Sequence, residues 1–116
     1  MNVLIIVNDS PYGSEHCFNA LRLTLALLKE EPRPQVTVFL MADAVLAAKS
    51  GQGTPEGYYN LERMLKGVLT RGEVLLCGTC LDARGLQEGE LIPGTRRSTM
   101  SELSGRTLAA DRVLVF

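Results

Sequence analysis

An excess of basic charge is missing from this sequence, where 12 Lys plus Arg stand against 13 Asp plus Glu. A protein that held nucleic acid mainly by neutralising phosphates would carry that excess, so direct nucleic-acid binding is not expected. Long apolar runs are missing too: nothing approaches the ~20 consecutive apolar residues needed to cross a bilayer, and no membrane partner is expected. The opening Met1 to Asp9 has neither a basic leader nor a small-residue cleavage site, and reads as a first β-strand, not a secretory signal. Cysteine is sparse and odd in number, at three. An odd count with no secretion signal points to free thiols in a reducing compartment, so a cytoplasmic protein is expected.

What is present is ordinary globular composition, with 46% apolar residues over 116 positions. That length fits one domain spanning residues 1–116 and suffices for a real core. Val3 to Val7 is continuously aliphatic, as a strand covered on both faces requires. It breaks at the turn-forming run Asn8 to Gly13. Ser14 stands where an N-cap belongs, and helical spacing follows to Glu30 through Phe18, Leu21, Leu25 and Leu28, flanked by Leu23 and Leu27. That apolar face is wider than one sheet contact needs, which suits assembly with further subunits.

Pro32 and Pro34 stop the helix, and Gln35 to Met41 reads as a second strand. Ala42 to Lys49 fits a short helix, and the glycine-rich Gly51 to Gly57 reads as a mobile loop serving as a lid or an oligomer contact. It lacks the lysine-plus-hydroxyl ending of a phosphate loop. Tyr58 to Thr70 is helical, Glu73 to Leu76 is a third strand, and Thr79 to Leu86 holds one or two helical turns. A short extended piece is expected near Glu90 to Ile92, a helix from Ser98, and a last strand over Val113 to Phe116. Strands alternating with helices imply right-handed crossovers and a mostly parallel sheet of four or five strands. The expected fold is a three-layer α/β/α sandwich of flavodoxin-like type.

Ligands of such sheets gather outside the carboxyl ends of the strands. Three polar segments share that rim: Asn8 to Gly13, Asp43 with the Gly51 to Gly57 loop, and Cys77 to Gly85. Cys77 ends a strand and opens a helical turn, where amide N–H groups favour a thiolate and lower its pKa, with Arg84 adding positive charge. A thiolate there can attack a disulfide, accept sulfane sulfur as a persulfide, or bind a soft metal. A small buried thiol closing a strand is the structural alternative.

Cys80 completes a Cys-x-x-Cys pair. A thioredoxin-like site would want the pair at the start of a long helix after the first strand of its unit. A zinc site would need two more ligands, and only Cys17 and His16 remain. Adjacent helical residues point about 100° apart and rarely share one metal, so neither metal nor cofactor is expected. Cys17 reads as packing, His16 as a surface or hydrogen-bonded residue that could tune a thiolate. Asp9 and Asp43 read as helix caps before they read as an acid/base pair. Arg96-Arg97 is too short for a basic patch.

In this order and spacing, several segments resemble the DsrE/DsrF-like family, and most closely its small YchN-like members. They are Pro11-Tyr12-Gly13-Ser14-Glu15, Phe18 to Leu23, Phe39 to Val45, Gly57-Tyr58-Tyr59-Asn60, Cys77 to Gly85, and Ala109 to Phe116. The resemblance implies an α/β fold and a homo-oligomer, a hexamer by analogy with its members. It implies that Cys77 matches the strand-end cysteine that carries persulfide sulfur in sulfur-relay relatives. Cys80 matches a second cysteine of the YchN-like branch, one that would resolve a persulfide into a disulfide. The site set that follows is Cys77 and Cys80 for chemistry, with Arg84, Tyr12, Gly13 and Asp43 for binding. Sulfur donor and acceptor proteins are the implied partners.

Overall fold

The computed structural model describes residues 1–116. Five strands, β1 (Asn2–Val7), β2 (Gln35–Leu40), β3 (Glu73–Cys77), β4 (Arg96–Ser98) and β5 (Arg112–Val115), form one sheet in the order β4-β3-β2-β1-β5. Every neighbouring pair is parallel, so all carboxyl ends share one rim. The helices are α1 (His16–Leu27), α2 (Leu61–Leu69), α3 (Gly78–Ala83) and α4 (Met100–Ala109). The strand order steps one way from β1 to β4 and then returns across the sheet to β5. Right-handed crossovers therefore place α1 and α2, which pack on each other, on one face, and α4, which packs on β1, on the other. The expected three-layer α/β class holds; its strand order differs from flavodoxin's 2-1-3-4-5. The chain reverses direction between β1 and β5, so the β3 end carrying Cys77 lies two strands from that switch point.

The core forms because the aliphatic strands are covered twice. Leu4, Ile5 and Val7 of β1, Val38, Phe39 and Leu40 of β2, and Val74, Leu75 and Leu76 of β3 are buried. From α1, Cys17, Ala20 and Leu21 join them, and from α2, Leu61, Leu65 and Val68. Leu23 is the large apolar residue of α1 left outside, 36% exposed. The larger apolar surplus lies elsewhere, on Val113, Leu114 and Val115 of β5 and Leu108 of α4.

Several expected boundaries move. Ser14 is not the N-cap of α1; that position is Glu15, while the Ser14 hydroxyl donates to Asp9 at 2.8 Å and accepts from the His16 amide at 3.3 Å. The helix stops at Leu27, short of Glu30, before the Pro32 that cannot extend it. Tyr58 and Tyr59 stay outside α2 because Asn60 caps it, accepting from the Arg63 amide at 3.1 Å. The extended piece expected near Glu90 to Ile92 is reduced to Leu91, which makes a single antiparallel bridge to Lys49, while Glu88–Glu90 is one 3-10 turn. The fourth strand is the polar Arg96–Ser98, an edge strand without an apolar signature. Thr99, not Ser98, caps α4, accepting from the Glu102 amide.

The Gly51 to Gly57 loop, read from its composition as a mobile lid or an oligomer contact, is fastened by side chains at its start. The Glu62 carboxylate accepts the Gly51 and Gln52 amides at 2.9 and 2.8 Å, and these bonds, the Gln52 amide foremost, hold its pKa below the usual range. The Gln52 side chain donates to the Ala47 and Lys49 carbonyls, and the Asn60 amide donates to the Gln52 carbonyl at 3.1 Å. Each bond uses a side chain that helical and turn patterns do not predict.

Candidate functional site

The rim is built by adjacency. Because β2 pairs with both β1 and β3, the segments after β1, β2 and β3 stand side by side at about 4.8 Å spacing per strand. After β2, Ala42 takes a left-handed backbone (φ 52°) that directs its amide to Cys80 Sγ at 3.1 Å. A non-glycine residue held there is strained, and the surrounding structure must hold it. After β3, Cys77 is the N-cap of the six-residue α3 and is 7% exposed. Its thiol lies close enough to Cys80 for the two to influence each other, so the sulfur pair expected from the sequence does come together.

The electrostatics of Cys77 run opposite to the sequence expectation. Burial pushes its pKa up, and the neighbouring Cys80 thiol adds to that; the Cys80 and Thr79 amides pull down without prevailing. A helix of one and a half turns supplies too few amides to offset burial.

Arg84 does not reach out to the thiol as a free cation. Its Nε and Nη2 both donate to Asp43 Oδ1, at 2.9 and 2.7 Å, and Nη1 donates to the Cys80 carbonyl at 3.1 Å. Arg84 and Asp43 thus clamp the Cys80 turn onto the segment after β2. Tyr12 and Gly13 are elsewhere on the rim, lining a cavity of about 630 Å³ that includes neither cysteine. Asp9 and Asp43 form no pair: Asp9 binds His16 Nδ1 at 2.9 Å, and Asp43 binds Arg84. Cys17 is fully buried and its thiol is pushed up to about 12, chiefly by burial, which makes it an inert packing group. No group of three or more His, Cys, Asp or Glu side chains converges to hold a metal ion.

The residue that sequence reasoning missed is Arg97. Its guanidinium forms a two-pronged pair with Asp82, at 2.8 and 2.7 Å, which leaves Nε without a hydrogen-bond partner. Nε faces Gly78: a Cβ built there would lie 2.8 Å from Nε and 2.9 Å from Cζ. Glycine at this position lets a cation settle directly on the residue after Cys77, within reach of the charge that Cys77 carries once ionised. No periodicity marks Arg97, since the strand that carries it has three residues, all polar.

A consequence is measurable. Replacing Arg97 with alanine removes the cation and makes Cys77 harder to ionise, so alkylation of Cys77 by iodoacetamide at fixed near-neutral pH is expected to slow by on the order of 3–10-fold. The pH–rate profile should move to higher pH, and an unchanged profile would place Arg97 outside the thiol's field.

With this geometry in place, the likenesses to other proteins become informative. The model of the DsrE/DsrF-like family matches residues 1–116. The chain is 46% identical to Protein YchN of Escherichia coli K12 over 116 residues, covering 98% of this chain and 97% of that protein. It is 36% identical to the uncharacterized protein MJ0989 of Methanocaldococcus jannaschii, over the full length of both. The crystal structure of E. coli YchN superposes with a TM-score of 0.94 at 44% identity, covering 100% of this chain and 99% of that one. A Methanobacterium thermoautotrophicum protein of unknown function, MTH1491, shares the fold at a TM-score of 0.66 and 14% identity, covering 99% of this chain and 97% of that one. A match from the first residue to the last, in family model, sequence and fold, shows that the chain belongs to the DsrE/DsrF-like family.

Proposed function

We propose that this protein is a sulfur carrier that holds sulfane sulfur as a persulfide on Cys77. The observation that carries the proposal is the paired Cys77 and Cys80 thiols at the carboxyl end of β3, with Arg97 laid on the residue between them and Arg84 fixing their turn. Membership of the DsrE/DsrF-like family supports the same chemistry.

The step balances without an oxidant. The Cys77 sulfur, losing its proton, attacks the outer sulfur of a donor persulfide R–S–SH; the donor S–S bond breaks and a new one forms on Cys77. The donor leaves as a thiolate and takes up a proton, giving Cys77–S–SH and R–SH. A persulfide is more acidic than the parent thiol, so the anion that a buried Cys77 resists becomes accessible once sulfur is loaded. Arg97 and the Thr79 and Cys80 amides are then placed to stabilise it. Discharge follows by attack of an acceptor thiolate on the outer sulfur. Alternatively, Cys80 attacks the inner one, giving a Cys77–Cys80 disulfide and hydrogen sulfide.

The test is cyanolysis after loading with a low-molecular-weight persulfide. Stoichiometric thiocyanate is expected from the native protein, and none from a Cys77→Ala variant that keeps its fold by circular dichroism. Equal release from both would sink the proposal.

A second reading, a reversible Cys77–Cys80 redox switch, is favoured by the closeness of the two thiols. The free thiols suit a reducing compartment, and we place the protein in the cytoplasm on that ground. No helix is long and apolar enough to cross a membrane. A Cys77–Cys80 disulfide as the standing form in fresh cell extracts would overturn both the location and the carrier reading.

The protein is also proposed to act as a homo-oligomer, a hexamer by family analogy. The observation behind this is the apolar surface left by β5 and α4, where Leu108 is 87% exposed and Val115 64%. Light scattering behind size exclusion should give a multiple of the chain mass; a monomer at micromolar concentration would overturn it.

A further inference from the structure

All three tyrosines of the chain, Tyr12, Tyr58 and Tyr59, line the same cavity of about 630 Å³, beside the rim and apart from the cysteines. Their rings are set at steep angles: Tyr12 and Tyr59 at 60° with centroids 6.4 Å apart, Tyr58 and Tyr59 edge to face at 85° and 4.9 Å. Phe18 adds a fourth ring. Among the lining residues there is one ionisable carboxyl, Glu15, and no lysine, arginine or histidine. The nearby cations are already placed elsewhere, Arg22 over the Phe18 ring at 5.5 Å from its centroid and Arg63 across Gly57.

Two observations indicate that the cavity is built for an occupant. Thr54, one of the lining residues, carries a buried hydroxyl without a hydrogen-bond partner, which few buried polar groups in folded proteins lack. The lining residue Tyr59 is also held in unfavourable left-handed backbone (φ 44°), as is Glu56 (φ 54°) just outside the wall. Non-glycine residues cost free energy there and persist only where the surroundings enforce them, often at ligand sites. The enforcement is visible. The Tyr12 hydroxyl bonds the Gln52 side chain and accepts from the Leu61 amide, tying the β1 loop to the pinned Gly51 to Gly57 segment.

From this we infer that the tyrosine cavity is a binding site for a small organic cation, an alkylated ammonium group with an apolar body. Aromatic faces present negative potential to a cation, and the contact strengthens as water is displaced. Glu15, the one carboxyl among the lining residues, complements the charge. The site does not depend on sulfur carriage, and Cys77→Ser should leave it intact.

Because the chain has no tryptophan, its intrinsic emission comes from these three tyrosines alone and reports the cavity directly. The experiment titrates the full-length protein with choline and, in parallel, with the neutral isostere in which carbon replaces the quaternary nitrogen. Choline is expected to change tyrosine emission saturably, and the isostere to bind about tenfold more weakly. Glu15→Gln, at an exposed position whose side chain makes no capping bond, should weaken choline and leave the isostere unchanged. A trimethyl-lysine peptide separates the two sources of such a cation: tighter binding than choline assigns the site to a modified protein side chain, weaker binding to a free small molecule. Equal affinity for choline and its isostere, or no saturable response to any of the three probes, would overturn the inference.

Discussion

Replacing Cys77 with serine is expected to abolish sulfur loading completely, while Cys80→Ser is expected to preserve it. The asymmetry follows from their places in the structure. Cys77 closes β3 at the rim, next to the Thr79 and Cys80 amides, with the Arg97 guanidinium against the following residue, Gly78. Cys80 instead accepts the Ala42 amide at 3.1 Å and sits on the turn clamped by Arg84. A serine hydroxyl at position 77 keeps the size of the thiol but not its nucleophilicity, and forms no S–S bond. At position 80 the same change removes the group that would expel the loaded sulfur as sulfide, so the Cys77 persulfide should also last longer. Loading that survives in Cys77→Ser, or vanishes in Cys80→Ser with the fold intact, would assign the chemistry to the wrong sulfur.

The second large effect concerns the scaffold. Phe39→Ala is expected to destabilise the protein by about 3–5 kcal/mol, the range for a large aromatic deleted from a core. Phe39 is fully buried on β2, paired with Ile6 on one side and Leu75 on the other, so both neighbouring strands lose contact and little can collapse into the void. Against a typical total of about 5–15 kcal/mol, this leaves a marginal fold, with a melting midpoint lower by about 12–20 °C. The rim depends on the same strand: Met41 and Ala42 follow β2 directly, and a displaced Ala42 amide would release Cys80. Denaturant titration measures it. A loss below about 1.5 kcal/mol would mean that β2 is not the centre of the core.

The β1, β2 and β3 strands are aliphatic runs bounded by turn residues, and an unbroken run of that kind survives only when covered on both faces. Their alternation with helices then fixes a parallel sheet, a shared rim, and the rim position of Cys77. β4 was not legible, because Arg96–Ser98 is held by its neighbour and by ion pairs and carries no apolar pattern. Since β4 carries Arg97, the cation beside the thiol was hidden with it, and Arg84 drew attention in its place. Arg84 is near in sequence but gives Nε and both Nη to Asp43 and the Cys80 carbonyl, whereas Arg97, also paired with a carboxylate, keeps Nε against Gly78.

The acidity of Cys77 was misjudged for a related reason. The sequence shows that a cysteine precedes a helical turn, but not how short the turn is or how deeply the sulfur is buried, and burial dominates. The glycine-rich loop misled in the opposite direction. Its composition suggests mobility, yet Glu62, Gln52 and Asn60 fasten it by side-chain bonds that no local pattern encodes. The three tyrosines are visible as letters, but only the crossing of the β1 loop and the segment before α2 brings them around one cavity.

The most direct test of sulfur carriage is peptide mass spectrometry of the native protein after exposure to a low-molecular-weight persulfide, with and without reductant. The account predicts a gain of one sulfur atom on the peptide containing Cys77, reversed by reductant and absent from the Cys17 peptide. Loss of two hydrogens across Cys77 and Cys80 with no sulfur gained, or no change at an alkylatable Cys77, would contradict it.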